Sequence, residues 1–288
     1  WRASPYRNPI IGWMNDIKHL SLEDLADWYE RYYAPNNAIL VVVGDIDPEA
    51  VFEMAKTHFG GFEPMEIPAL KPFVEPEQTG ETRVTVSVPA KQPFVLLGYK
   101  APVIGRAEED WEPYALYVLS SVLDGGNSAR LSRELVRGSA IAASAGASYS
   151  GYSRLESMFT LSATPTDEHT IADVEKALRE QVRQLREETI DPAELNRVVT
   201  QAVAGKVFEA DSLFYQAMEI GMLETIGLDW RLATEEIARL KAVTPEQVQA
   251  VAQRYLVDQN LTVAVLDPLP IEQQPQPRQA LAGGRHGS

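Results

Sequence analysis

The sequence contains no cysteine. Disulfides, cysteine-ligated zinc, iron–sulfur clusters and thiol nucleophiles are therefore excluded together, while the redox compartment stays open. No apolar run reaches the roughly 18 residues that a membrane-spanning helix requires. Basic residues are outnumbered, with 26 Lys and Arg against 41 Asp and Glu and a formal charge of −15. A protein that tracks phosphates carries a basic excess, which argues against nucleic acid as a partner. The acidic surplus has two readings: it attracts basic or extended peptides, or it keeps the protein soluble. Histidine is scarce. The four, His19, His58, His169 and His286, include no two within five positions, so no helical pair can chelate one metal. Asp167, Glu168 and His169 follow Thr166, and acidic capping of a first helical turn explains them better than metal ligation. An initiating methionine is absent as well. The opening Trp1-Arg2-Ala3-Ser4-Pro5-Tyr6 has neither a basic n-region nor an apolar h-region, and it reads as the middle of a longer chain.

What is present is globular. Apolar residues make up 45% and charged residues 23% of 288 residues, room for two domains or one large one. Ser21 caps a helix over 22–33, with Leu22, Leu25, Trp28, Tyr29 and Tyr32 on one face. Ile39–Val43 is β-branched and apolar, which predicts a buried strand. Asp47-Pro48 starts a helix to about His58. Residues 63–80 carry Pro64, Pro68, Pro72 and Pro76, the composition of an extended linker. Beyond it, strands are predicted at 82–88 and 94–100, a helix at 108–123, a Gly-rich break at Asp124–Ser128 and a short helix at 129–136. A strand pair follows at 141–150 and 157–163. A helix capped by Thr166 runs to 187, further helices occupy 192–207, 211–225, 230–239 and 245–256, and a last strand covers 261–266. Residues 267–288 read as a loose tail. The order predicts an α+β fold, an antiparallel-rich sheet with helices packed on one face.

The chain also repeats itself. Thr244–Tyr255 aligns with Ser21–Tyr32 at an offset of 223 residues, Thr244 against Ser21. At that offset Arg254 meets Arg31, Tyr255 meets Tyr32 and Asn260 meets Asn37, and strand 262–266 coincides with strand 39–43. Each copy is a capped helix, Arg-Tyr, a turn and a strand. The register places about 140 residues of the first copy upstream of Trp1. The divisions that follow are 1–62, the remnant of a first half-domain; 63–80, a linker; 81–267, a complete second half-domain; and 268–288, a tail.

Three stretches resemble the insulinase/pitrilysin family of zinc metallopeptidases, in its processing-peptidase-like bacterial branch. They are Pro5–Ile17; Trp28–Ala38 running into Val41–Asp45; and Leu123-Asp124-Gly125-Gly126-Asn127-Ser128-Ala129-Arg130-Leu131. The resemblance extends to about residue 268. It implies two homologous α+β halves facing each other around a closed chamber. The first half of such a protein carries His-x-x-Glu-His and a further Glu, which hold zinc and a general base. That motif does not occur in this sequence. The resemblance therefore implies zinc in the full-length parent and none in this chain, no catalytic residue here, and a metal motif upstream of Trp1. It also implies a peptide substrate, a homologous subunit as partner in a homo- or heterodimer, and a periplasmic or secreted location.

In the second half, the resemblance implies an Arg and a Tyr seven residues apart that touch substrate near the metal. Val136 and Ala143 stand at those positions, or Arg137 and Ser144 after a one-residue slip. Neither Val nor Ala can donate a hydrogen bond to an oxyanion. Two functions stay open. One is the substrate-chamber half of a zinc metalloendopeptidase, inactive as a fragment. The other is a non-catalytic structural or regulatory subunit of a heterodimeric peptidase. Tyr149, with Tyr152, Tyr114 and Tyr117, either lines a peptide chamber or packs in the core. Gly125–Ser128 lacks the Lys-Ser/Thr ending of a phosphate loop, and Ser128, Ser139 and Ser144 have no sequence-visible His–Asp partners.

Overall fold

A computed structural model describes residues 1–271. His286 and the predicted tail beyond 271 lie outside the described residues. Five strands form one sheet: β1 (Thr82–Pro89), β2 (Phe94–Ala101), β3 (Ala142–Ser148), β4 (Ser157–Pro165) and β5 (Leu261–Leu269), in the order β1-β5-β2-β4-β3. β1 and β5 run parallel, and every other pair is antiparallel. The parallel pair joins the two ends of the second half, Thr82 opposite Thr262 and Pro89 opposite Leu269. A long crossover is what parallel neighbours require.

Alternation along the strands sets which face is buried. Val95, Leu97 and Tyr99 of β2, Phe159 and Leu161 of β4, and Leu261 and Val263 of β5 all point to one side. There they meet α4 (Glu112–Asp124) through Leu116, Leu119 and Leu123, and α5 (Ile171–Glu187) through Val174 and Leu178. α9 (Pro245–Tyr255) closes this core with Val248, Val251 and Ala252. Between them lie α6 (Pro192–Glu209), α7 (Leu213–Thr225) and α8 (Leu232–Lys241), on the same side of the sheet. The fold is the α+β arrangement that the residue pattern predicts.

Several boundaries differ from the sequence expectation, each for a local reason. The cap of α5 is Thr170, not Thr166. Asp173 returns its carboxylate to the Thr170 amide at 2.8 Å, completing a capping box, while Thr166–His169 form a turn closed by His169 N to Thr166 O at 3.1 Å. α4 starts at Glu112 rather than 108. The short helix expected at 129–136 is a π-helical turn over Ser132–Gly138, with the Ser139 amide bonded to Glu134 O at 2.8 Å. β5 continues through residues 267–269, which the composition assigned to the tail.

The largest difference lies at Ile39–Val43, which is not a strand. Ile39, Leu40 and Val42 are exposed, and no neighbouring strand pairs with them among the described residues. β structure is a property of a ladder, so a β-prone segment without a neighbour stays extended and unpaired. The helices around it, α1 (Met14–His19), α2 (Leu22–Tyr32) and α3 (Pro48–Phe59), have no buried residue, and the apolar face of α2 is turned to solvent.

The first residues are held differently. The Glu75 side chain, 3% exposed, accepts the amides of Arg2, Ala3 and Ser4 at 2.7, 2.8 and 2.9 Å and pairs with Lys100 of β2 at 2.9 Å. Burial by itself would raise the Glu75 pKa. The Ser4 amide, the Lys100 ammonium and the Ala3 and Arg2 amides outweigh it and hold the pKa at about 2. A carboxylate whose pKa is lowered by folding stabilises above its ordinary 4.5 and loses that contribution as pH falls toward about 2. Glu75→Gln is therefore expected to cost about 1–2 kcal/mol at neutral pH, after allowance for solvent screening. Thermal melts of both proteins from pH 7 downward should converge across that window. A difference that persists unchanged to pH 2 would contradict the linkage.

Candidate functional site

Among the described residues, the helices that pack on the sheet do so on one side. Arg83 of β1 reaches α5, its guanidinium on Glu175 at 2.7 and 3.0 Å, so Val84, Val86 and Val88 face the other way. Strand register carries that open face across the sheet. Val84 lies opposite Ala264 and Val86 opposite Leu266; Leu266 lies opposite Phe94, Leu96 opposite Ser162, and Thr160 opposite Ser148. The face is apolar toward β1, where Val84, Val86, Val88 and Phe94 are exposed, and hydroxyl-bearing toward β3. Two strands, β1 and β3, form its edges.

The Gly-rich stretch is part of the framework. Gly126 has φ 103°, a conformation that favours glycine. Asp124 accepts the Ala147 amide of β3 at 3.2 Å. Arg130 clamps Glu194 of α6 in a two-pronged pair at 3.1 and 2.6 Å, both side chains mostly buried. Leu131 is fully buried. The residues of the Gly-rich stretch thus tie α4, β3 and α6 together.

The three residues singled out for substrate contact are not brought together. Val136 sits in the π-helical turn, half-buried against the core. Ala143 is exposed at the irregularity in β3 between Ala142 and Ser144. Tyr149 follows the far end of β3, roughly 20 Å along the strand from Ala143. It is buried, and its hydroxyl donates to Pro102 O at 2.5 Å.

The four tyrosines, in contrast, do converge. Tyr114 and Tyr117 from α4 and Tyr149 and Tyr152 from the β3–β4 loop line a single cavity of about 230 Å³. Lys206 of α6 enters the same space, with Glu236 of α8 at 2.9 Å, Glu219 of α7 at 3.2 Å and Glu209 at 3.5 Å. Burial opposes the Lys206 charge, but its bond to Glu236 and the Glu236 and Glu219 charges prevail and raise its pKa. Burial, followed by the Glu236 charge, pushes the Tyr152 hydroxyl up. Sequence patterns do not reveal this ion cluster, because its members come from three helices.

No group of three His, Asp or Glu side chains close enough to hold a metal occurs among the described residues. His19 spends Nδ1 on Asn15 O at 2.7 Å, His58 lies in the last turn of α3 and His169 in the turn before α5. The described donor set does not fit a zinc ion, and no chemistry through zinc is derived from it. No helix among the described residues is long and apolar enough to cross a membrane.

The family described as the peptidase M16 inactive domain matches residues 19–202. Zinc protease PqqE of Helicobacter pylori is 32% identical over 197 residues, covering 67% of this chain and 43% of that protein. An uncharacterized zinc protease of Streptomyces coelicolor is 25% identical over 281 residues, covering 95% and 59%. Among solved structures, a protease from Helicobacter pylori superposes with a TM-score of 0.81 at 27% identity, covering 90% of this chain and 62% of that one. The chain thus spans less than two thirds of the length of each of these relatives.

Proposed function

Because the chain belongs to the peptidase M16 family, matching its inactive domain over more than half its length, we propose that it is the substrate-chamber half of a zinc-dependent metalloendopeptidase, itself without catalytic residues. One observation carries this reading: a five-stranded sheet covered by helices on one face only. The open face, apolar toward β1 and hydroxyl-bearing toward β3, suits an extended peptide. The β1 edge offers unpaired backbone groups for strand addition. Of the three substrate candidates, Ala143 is the exposed one, while Val136 and Tyr149 act through packing.

The parent reading also accounts for residues 1–62, which we assign to a first half-domain, with 63–80 as linker and 81–267 as the second half. The repeat supports this assignment. In the second copy, Arg254 and Tyr255 grip Glu112 at 2.8 Å each. In the first, Arg31 makes only an exposed pair with Asp27 at 3.6 Å among the described residues, and in this reading its equivalent partner belongs to the remainder of the first half.

Metal content and cleavage test the proposal. The 288-residue chain should carry no stoichiometric zinc by elemental analysis and should cleave no peptide. The full-length parent should cleave peptides and lose activity to a chelator. Stoichiometric zinc with peptidase activity in the chain alone would sink it. Val136 and Ala143, which offer no hydrogen bond where a donor pair is expected, favour a second reading. In it the parent pairs with a homologous subunit in a homo- or heterodimer, and it is the non-catalytic member if its own upstream segment lacks His-x-x-Glu-His. Fractionation of producing cells would test the periplasmic or secreted location that accompanies both readings.

A further inference from the structure

The tyrosine cavity is charged in a way that core packing does not require. Lys206 pairs with three carboxylates, Glu209, Glu219 and Glu236; of these Glu209 and Glu236 line the cavity with it, which leaves one formal negative charge in excess in the lining. The Arg239 guanidinium faces the Tyr114 ring at 5.6 Å but is already paired with Glu235 at 2.8 Å. Tyr114 is 3% exposed and lines the cavity, and its buried hydroxyl has no hydrogen-bond partner among the described residues. A buried hydroxyl without a partner costs about 1–3 kcal/mol, so an occupant that supplies one is favoured. Tyrosine faces attract cations, and the Lys206 ammonium already stands 5.9 Å from the Tyr152 ring centre. Ile104, Pro113 and Leu240 add apolar wall.

We propose that this cavity binds an organic cation, a primary ammonium or guanidinium on a short apolar stem. The stem would lie along Ile104 and Leu240, the charge would meet Glu236 and Glu209, and the Tyr114 hydroxyl would gain its missing partner. An anion is disfavoured by the same charge count. A volume of about 230 Å³ lies below the ~300 Å³ at which drug-sized pockets begin, which limits the occupant to one side chain or one small amine. The proposal does not depend on the peptidase reading, since it concerns the helical side of the sheet, not its open face.

Titration of the 288-residue chain with n-butylammonium and n-butylguanidinium, followed by amide NMR, tests it. Saturable shifts are expected around residues 114, 152 and 206, and none with n-pentanol. Tyr114→Phe should weaken binding about 3–10-fold, and Glu236→Gln about tenfold or more. Lys206→Met leaves the three carboxylates without a cation. Its Tm should fall and be restored saturably by the added ammonium, which should bind this variant more tightly than the native chain. A lysine-containing tetrapeptide set against its norleucine counterpart separates the two sources. Binding of that peptide at least tenfold tighter than the free amine assigns a peptide side chain, and the reverse assigns a small amine. The proposal is overturned if the native chain shows no saturable shifts, if n-pentanol or phosphate binds equally well, or if Glu236→Gln leaves affinity unchanged. Because the native-chain titration needs no variant, a failure of Lys206→Met to fold does not rescue it.

Discussion

Glu112→Ala is expected to destabilise the second half-domain by about 2–4 kcal/mol, lowering its Tm by about 5–15 °C. The carboxylate is 1% exposed and holds four groups. Oε1 accepts from Arg254 at 2.8 Å. Oε2 accepts from the Tyr255 hydroxyl at 2.8 Å and from the Glu108 and Glu109 amides at 3.2 and 3.4 Å. It also sits at the first position of α4, where the exposed amides of a helix N-terminus favour negative charge. Breaking a buried pair by deleting one partner costs about 3–5 kcal/mol. That figure is reduced here because Arg254 is about half exposed and also reaches Glu108. Glu112→Gln keeps the acceptor for Tyr255 but gives up the charge, so about 1–2 kcal/mol is expected. Denaturant unfolding of both variants, with unchanged slope, checks the values. A Glu112→Ala protein melting within 2 °C of the native chain would show that the contact is ornamental.

The same residues illustrate what sequence can and cannot show. Arg254 and Tyr255 stood out as half of a repeat, matched to Arg31 and Tyr32, but nothing local pointed to Glu112, more than a hundred residues away. Patterns that a single element satisfies were legible. The capped helices that start at Ser21 and Thr244 depend on neighbours within a turn. The choice between Thr166 and Thr170 could have been made on the same grounds, since only Thr170 has an acid three residues on. Ile39–Val43 had strand chemistry but not a strand, because a ladder needs a partner that composition does not supply. The four tyrosines were visible singly. Their convergence, and the Lys206 cluster beside them, depend on the packing of α4, α6, α7 and α8 against the β3–β4 loop.

Phe159→Ala is the substitution expected to link that cavity most directly to the core. Phe159 is fully buried near the start of β4, opposite Tyr99 of β2, and belongs to the same cluster as the helix residues above it. Removing a buried phenylalanine side chain from a close-packed core costs about 3–5 kcal/mol, the transfer of the ring plus the void it leaves. The ring also stacks on Tyr149 at 6.3 Å between centroids, with 24° between planes. Tyr149 in turn is a wall of the cavity and is pinned by its bond to Pro102 O. Losing Phe159 therefore removes one of the two supports of that wall. Tyr149→Phe provides the complementary change: the stack stays, the bond to Pro102 goes, and about 1–2 kcal/mol is expected. The two sites touch, so the double variant should not be additive, with a coupling on the order of 0.5–3 kcal/mol in a double-mutant cycle. Strict additivity would mean that the stacked pair carries no shared energy. In that case the core and the cavity wall would be energetically independent.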